Sequence, residues 1–178
     1  MTTQLKTQTS TIVGRIILKL GNDISTDVIY PGRFMATVLP AETPQYAFAD
    51  LVEFNANLKK KEFPPHSILV AGNNFGCGSS REQAASTLKG HELVIVAKGF
   101  ARIFLQNAIN LGLRTVICPD LEASEGDVLE ISEGRVVNRT TLKSFPTVAL
   151  PAARQAIIDA GGLIPYTRKR LVEKEGKN

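Results

Sequence analysis

Two adjacent serines and an arginine, Ser79, Ser80 and Arg81, follow three closely spaced glycines in the stretch GNNFGCGSSREQAASTLKG, Gly72 to Gly90. Glycines at 72, 76 and 78 allow backbone conformations closed to other residues and let a ligand approach the main chain. Ser79 with Glu82, and Ser80 with Gln83, each fit the S-x-x-E/Q capping pattern, while Lys89 and Gly90 supply a basic last turn and a C′ glycine. A helix is therefore predicted over about Arg81 to Lys89. Two serines compete for one cap, so one hydroxyl is expected on the first-turn amides and the other free at the loop tip. A helix N-terminus carries roughly half a positive charge, and Arg81 adds a full one on a fork suited to carboxylate or phosphate. The chemistry expected here is anion binding. The plainer reading is a loop that only turns the chain and a cap that only starts a helix. The convergence of these residue types within ten positions favours a site.

Other chemistries find little support. The glycine loop lacks the G-K-[ST] ending of a P-loop and the G-x-G-x-x-G pattern of a dinucleotide site. His66 and His91 are the only histidines and have no partner at catalytic spacing, so packing or surface roles are expected and no Ser/His/Asp triad is read. Cys77 and Cys118 lie too far apart for C-x-x-C spacing and indicate neither a disulfide framework nor a metal site. Cys77 is expected to be a small buried residue.

The net charge of +4 comes from scattered basic residues. The one local cluster, Arg168 to Arg170, is followed by Glu173 and Glu175, so it reads as a solvated, mixed-charge tail and not as a nucleic-acid stripe. A mild positive excess suits a small polycarboxylate or an acidic partner surface. No run of 18 apolar residues exists, and the first residues form neither a basic nor an apolar signal region. A cytoplasmic protein, not bound to membrane, is expected.

The elements that must position the serines follow from periodicity. Residues 1–11 read as a flexible tail. IVGRIILKL, from Ile12, reads as a first strand ending at the turn GND, and ISTDVIYPGRF reads as a loop broken at Pro31-Gly32. Ala41 to Lys60 reads as one or two short helices, with Phe54 in the core. SILVAG is a buried strand that delivers the chain to the glycine loop, which therefore sits at a strand's carboxyl end. LVIVAKGF is a strand, ARIFLQNAINLGL a helix with Ile103, Phe104, Ala108, Ile109 and Leu111 as core candidates, and TVICPD a strand. This alternation argues for parallel pairing. DVLEISEGRVVNRTTLKSF reads as an antiparallel hairpin turning at Glu133-Gly134, and PAARQAIIDAGG as a helix stopped by its glycines. One domain over 12–171, with a tail at 172–178, accommodates all of this.

NFGCGSSRE resembles the signature of the swivel domain of the aconitase family, most closely in the separate small subunit of isopropylmalate isomerase-type dehydratases. The resemblance runs from about Ile12 to Leu171 and includes GNDISTDVIYPGRF, AKGFARIFLQNAINLGL and AGGLIPYTRKRL. Many members carry a histidine where this chain has Gln83, so no imidazole stands at that position here. The fold implied is α/β: a single swivelling β/β/α domain with a mixed, mostly parallel sheet and flanking helices. The activity implied is that of a hydro-lyase that moves a hydroxyl between adjacent carbons of a hydroxy-acid, as in leucine biosynthesis. By resemblance Ser79 is the base that takes the carbon-bound proton, acting as an alkoxide. Ser80, Arg81 and Asp27 are implied at the substrate, and Phe34, Met35, Ala36 and Thr37 help choose its side group.

The Lewis acid of that reaction is a [4Fe–4S] cluster, which needs at least three thiolates. This chain has two cysteines. The resemblance therefore implies a larger partner subunit that carries the cluster, with none bound here. Relatives acting on an extra carboxylate have an arginine in the segment that reads Phe34-Met35-Ala36-Thr37 here, where the corresponding position is Ala36. Isopropylmalate is accordingly ranked first, dimethylmalate second and homoaconitate third. A non-catalytic, anion-binding regulatory module is the alternative from another class.

Overall fold

The computed structural model describes residues 11–175. The expected flexible N-terminal tail thus falls almost wholly outside the described residues. Seven strands form one sheet in the order β4-β3-β2-β1-β5-β6-β7. They are β1 (Ile12–Lys19), β2 (Ile68–Ala71), β3 (Val94–Ala97), β4 (Arg114–Ile117), β5 (Val128–Ser132), β6 (Arg135–Asn138) and β7 (Lys143–Pro146). β1 is the pivot: it pairs parallel with β2 and antiparallel with β5. The sheet is parallel from β1 to β4 and antiparallel from β1 through β5, β6 and β7.

The parallel half follows the predicted alternation. β2 leads through the glycine loop to α3 (Glu82–Gly90), then β3, α4 (Arg102–Leu111) and β4. β2 and β3 are buried at every position, as expected for strands covered on both faces. Leu69, Ala71, Ile95 and Ala97 face a core shared with Ala84, Ala85, Leu88, Phe104 and Ala108 of the helices. Ile68, Val70, Val94 and Val96 face a second core with Leu129, Ile131, Val136 and Phe145 of the antiparallel half. Only a sheet that curls can put strands from both halves in one core. The curl is tied at its ends, where the Val148 amide donates to the Ile117 carbonyl at 2.8 Å and the Cys118 thiol donates to the Pro146 carbonyl at 3.4 Å.

The hairpin turns at Glu133-Gly134 as expected, and β7 adds a third antiparallel strand beyond it. The stretch between β1 and β2 holds α1 (Thr26–Ile29), a 3₁₀ turn at Gly32–Phe34, another at Thr43–Tyr46, and α2 (Val52–Lys59). After β7 come α5 (Ala152–Asp159) and α6 (Leu163–Glu175). Helix α6 thus continues through 172–175, where the sequence suggested a tail, and 176–178 lie outside the described residues.

Two local expectations fail for steric reasons. Ile103 is 44% exposed, because Phe104, Ala108 and Ile109 define the buried face of α4 and Ile103 points away from it. Gly90 is not a left-handed C′ residue but the last residue of α3. A Cβ there would come within 2.2 Å of the Pro44 ring, so the glycine serves close packing.

Candidate active site

The glycine loop leaves the carboxyl end of β2 and is laced to its neighbours through backbone bonds. On one side Gly72 N donates to the Gly21 carbonyl (2.9 Å), Gly76 N to Ile24 (2.7 Å) and Thr26 N to Cys77 (2.8 Å). On the other, Phe75 N donates to Gly99 (3.0 Å) and Ala101 N to Phe75 (2.9 Å). Gly76 has φ of +81°, and a Cβ there would lie 2.2 Å from Cγ of Phe104, so only glycine fits. Phe75 is buried edge-on to Phe104, with ring centroids 5.2 Å apart. These contacts fix where the loop presents its tip.

Neither serine caps α3. The N-cap is Arg81, with extended backbone (φ −69°, ψ 118°) and no side-chain cap bond. The serines' carbonyls are held instead: Thr26 Oγ1 donates to Ser79 O at 3.1 Å and Asn107 Nδ2 to Ser80 O at 3.4 Å. These tertiary bonds keep both serines in the loop and delay the helix to Glu82. Both residues are exposed, and among the described residues neither hydroxyl makes a hydrogen bond. The expected division into one capping and one free serine is thus corrected to two free hydroxyls beside a helix N-terminus that no side chain caps. Such a terminus attracts anions.

Arg81 is mostly buried, its side chain only 14% exposed. It forms an ion pair with Asp27 and donates from Nη1 to the Tyr30 carbonyl at 3.3 Å. Asp27 Oδ1 also accepts from Gly32 N at 3.2 Å. The Arg81 hydrogen bond and charge, with the Gly32 amide, outweigh desolvation and hold the Asp27 carboxyl below its usual pKa. Asp27 therefore meets Arg81 and orients its fork. It sits in the first turn of α1, whose N-cap Ser25 accepts from Val28 N. The segment expected as a loop thus holds a short helix, which Ser25 starts as its cap.

The segment expected to meet the substrate side group divides in two. The Phe34 ring stacks on Tyr46 at 4.1 Å, and the buried Tyr30 hydroxyl donates to the Phe34 carbonyl at 3.0 Å, with the Thr37 carbonyl at 3.5 Å. Burial raises the Tyr30 pKa, which keeps that donor protonated. Met35 and Ala36 remain exposed. Arg33 is paired with Asp50. Gln83 is half-buried on α3.

The chain's thiols do not fit an iron–sulfur cluster. Cys77 is on the glycine loop and half-exposed, not buried as expected. Cys118 is in the second core, where burial pushes its thiol up to about 11, opposite to what a thiolate ligand requires. Among the described residues no group of three His, Cys, Asp or Glu side chains converges. His91 Nε2 donates to the Pro44 carbonyl at 2.8 Å in a packing role, and His66 is on the surface. Among the described residues no helix is long and apolar enough to cross a membrane.

Thr26, Tyr30 and Asn107 are the site residues that sequence reasoning missed. Thr26 and Asn107 act through serine carbonyls 53 and 27 residues away and leave no local pattern, whereas Tyr30 bonds within its own segment, to the Phe34 and Thr37 carbonyls.

A family model for the aconitase C-terminal domain matches residues 23–121. The 3-isopropylmalate dehydratase small subunit of Methanosarcina mazei is 42% identical over 161 residues, covering 88% of this chain and 96% of the relative. The isopropylmalate/citramalate isomerase small subunit of Methanocaldococcus jannaschii is 39% identical over 171 residues, 93% of this chain and 99% of the relative. A crystal structure of 3-isopropylmalate dehydratase (leuD) from the same organism superposes with a TM-score of 0.84 at 37% identity, covering 95% of this chain and all of that one.

Proposed function

This chain belongs to the aconitase C-terminal domain family, and from that premise we propose that it is the small subunit of a hydro-lyase, a 3-isopropylmalate dehydratase of leucine biosynthesis. The observation that carries this reading is likeness along nearly the full length of small subunits bearing that name. As a small subunit it works with a large one in the cytoplasm. The resemblance assigns the [4Fe–4S] cluster, the Lewis acid of the reaction, to that partner.

Within this reading Ser79 takes the carbon-bound proton as an alkoxide. A serine hydroxyl is too weak an acid to ionise unaided, so its anion must be stabilised where it stands. Support comes from the exposed hydroxyl, the neighbouring uncapped helix N-terminus and the adjacent Arg81. Ser80 and Arg81 bind substrate carboxylate, with Asp27 orienting Arg81. Met35 and Ala36 meet the side group, while Phe34 and Thr37 shape the segment.

The substrate side group is small and apolar. No cation stands at Ala36, and Arg33 is occupied by Asp50, so an extra carboxylate would go unpaired. A smaller alkylmalate such as dimethylmalate is the second reading, favoured by the M. jannaschii relative whose name couples isopropylmalate with citramalate. Homoaconitate ranks third. The test is a comparison of kcat/KM for 3-isopropylmalate, dimethylmalate and homoisocitrate on the enzyme assembled with its large subunit. Preference for 3-isopropylmalate supports the reading, and preference for homoisocitrate overturns it.

A further inference from the structure

The base of the Phe34–Thr37 segment is built against a second stretch of chain, residues 43–51. Tyr46 from that stretch stacks on Phe34 with an interplanar angle of 14°. Asp50, from the same stretch, takes the Arg33 guanidinium on both carboxylate oxygens, with Nη1 to Oδ2 at 3.2 Å and a second, ion-pair contact from Nη2 to Oδ1. The guanidinium carbon lies 4.7 Å from the Phe34 ring centroid, within cation–π range. One guanidinium therefore links Asp50 to Phe34.

The supporting stretch is rigid for reasons independent of this contact. Buried Asn55 donates from Nδ2 to the carbonyls of Gln45 (3.1 Å) and Ala47 (2.7 Å). Phe48 is fully buried with φ of +50°, and Leu51 N closes the turn on its carbonyl at 2.8 Å. Asp50 thus stands on a fixed turn, while Met35 and Ala36 are exposed at the tip of the segment it reaches.

We infer that Asp50 is a positioning residue for substrate specificity, acting through Arg33 and the Phe34 ring to set where Met35 and Ala36 stand. The inference rests on the dehydratase reading above for what those two residues touch, but the clamp itself does not. The pair is exposed, 54% and 60% at the side chains, so it contributes little to global stability. Its effect is local geometry, which a bidentate fork fixes better than a point charge.

The test takes Asp50→Asn, Arg33→Ala and the double variant, each assembled with the large subunit, and measures kcat/KM on 3-isopropylmalate and 3-methylmalate. Each single variant should lower the isopropyl-to-methyl preference by about three- to fivefold, the range open to an exposed ion pair, mainly through KM. The double variant should be no worse than either single, since both cut the same link. Amide exchange at Met35 and Thr37, whose N–H groups bond to the Gly32 and Phe34 carbonyls, should quicken in Asp50→Asn with the melting temperature unchanged. An unchanged preference in the variants, or additive losses in the double, overturns the inference. If the wild-type assembly turns over no alkylmalate, the dehydratase reading fails instead, and the exchange rates alone decide the clamp: quickened exchange upholds it and unchanged exchange overturns it.

Discussion

Asp27 holds Arg81 across 54 residues of chain, its carboxylate shared between that guanidinium and the Gly32 amide. The pair joins the α1 segment to the start of α3, so the arginine's fork is set before any substrate arrives. Asp27→Asn should raise KM about three- to tenfold with a smaller change in kcat, because it loosens an orienting contact that is partly solvent-screened. The pH dependence has a definite sign. The Asp27 pKa lies below its ordinary 3.8, so the pair's contribution is present above that pH and is lost as pH falls through the lower, folded value. Profiles of kcat/KM between pH 5 and 8 should carry no step from Asp27, and a step removed by Asp27→Asn would contradict this.

Because neither serine caps α3, Ser80→Ala should leave stability within about 0.5 kcal/mol of wild type, as for an ordinary surface substitution. A capping serine would instead cost about 1 kcal/mol. Urea unfolding of Ser79→Ala and Ser80→Ala distinguishes the two, and a lowered midpoint in either would restore it as a cap.

Gly76→Ala should be far more damaging. Its φ of +81° and the 2.2 Å approach to the buried Phe104 ring combine backbone strain with overpacking, together costing roughly 2–4 kcal/mol. Thermal unfolding of the variant measures this, with little change in melting temperature as the contrary result.

The two thiols should behave oppositely. Iodoacetamide should label Cys77 in the native protein and reach Cys118 only on unfolding. The folded Cys118 pKa is raised from 9.0 to about 11, so its contribution to stability is complete below pH 9.0 and is lost as pH rises through about 11. Between those values the urea midpoint of wild type should fall more steeply than that of Cys118→Ala. Parallel falls would show that the thiol is not the cause.

The parallel half of the fold was legible because SILVAG, LVIVA and TVIC are short apolar runs separated by one amphipathic helix each, a pattern set by local periodicity. The hairpin was legible from Glu133-Gly134. The closing of the curl through Ile117 and Val148 was not, since it depends on two backbone groups brought together by everything between them. The site divides in the same way. Ser79, Ser80 and Arg81 were visible as residue types beside a helix start, yet the S-x-x-E/Q pattern occurred twice and fitted neither time. Bonds from Thr26 and Asn107 to the serine carbonyls override a local capping preference of about 1 kcal/mol. Asp27 was expected at the site by resemblance and Arg81 from its place beside the helix start, but their pairing with each other emerged only from the fold.

The most direct test of the central claim is anaerobic turnover of 3-isopropylmalate by this chain mixed with the large subunit proposed to carry the cluster, using wild type and Ser79→Ala. Turnover is predicted only in the wild-type mixture, with neither subunit active alone and Ser79→Ala lowering kcat by at least about a hundredfold while still assembling. Turnover by the lone chain, or a Ser79→Ala mixture as fast as wild type, would contradict the account.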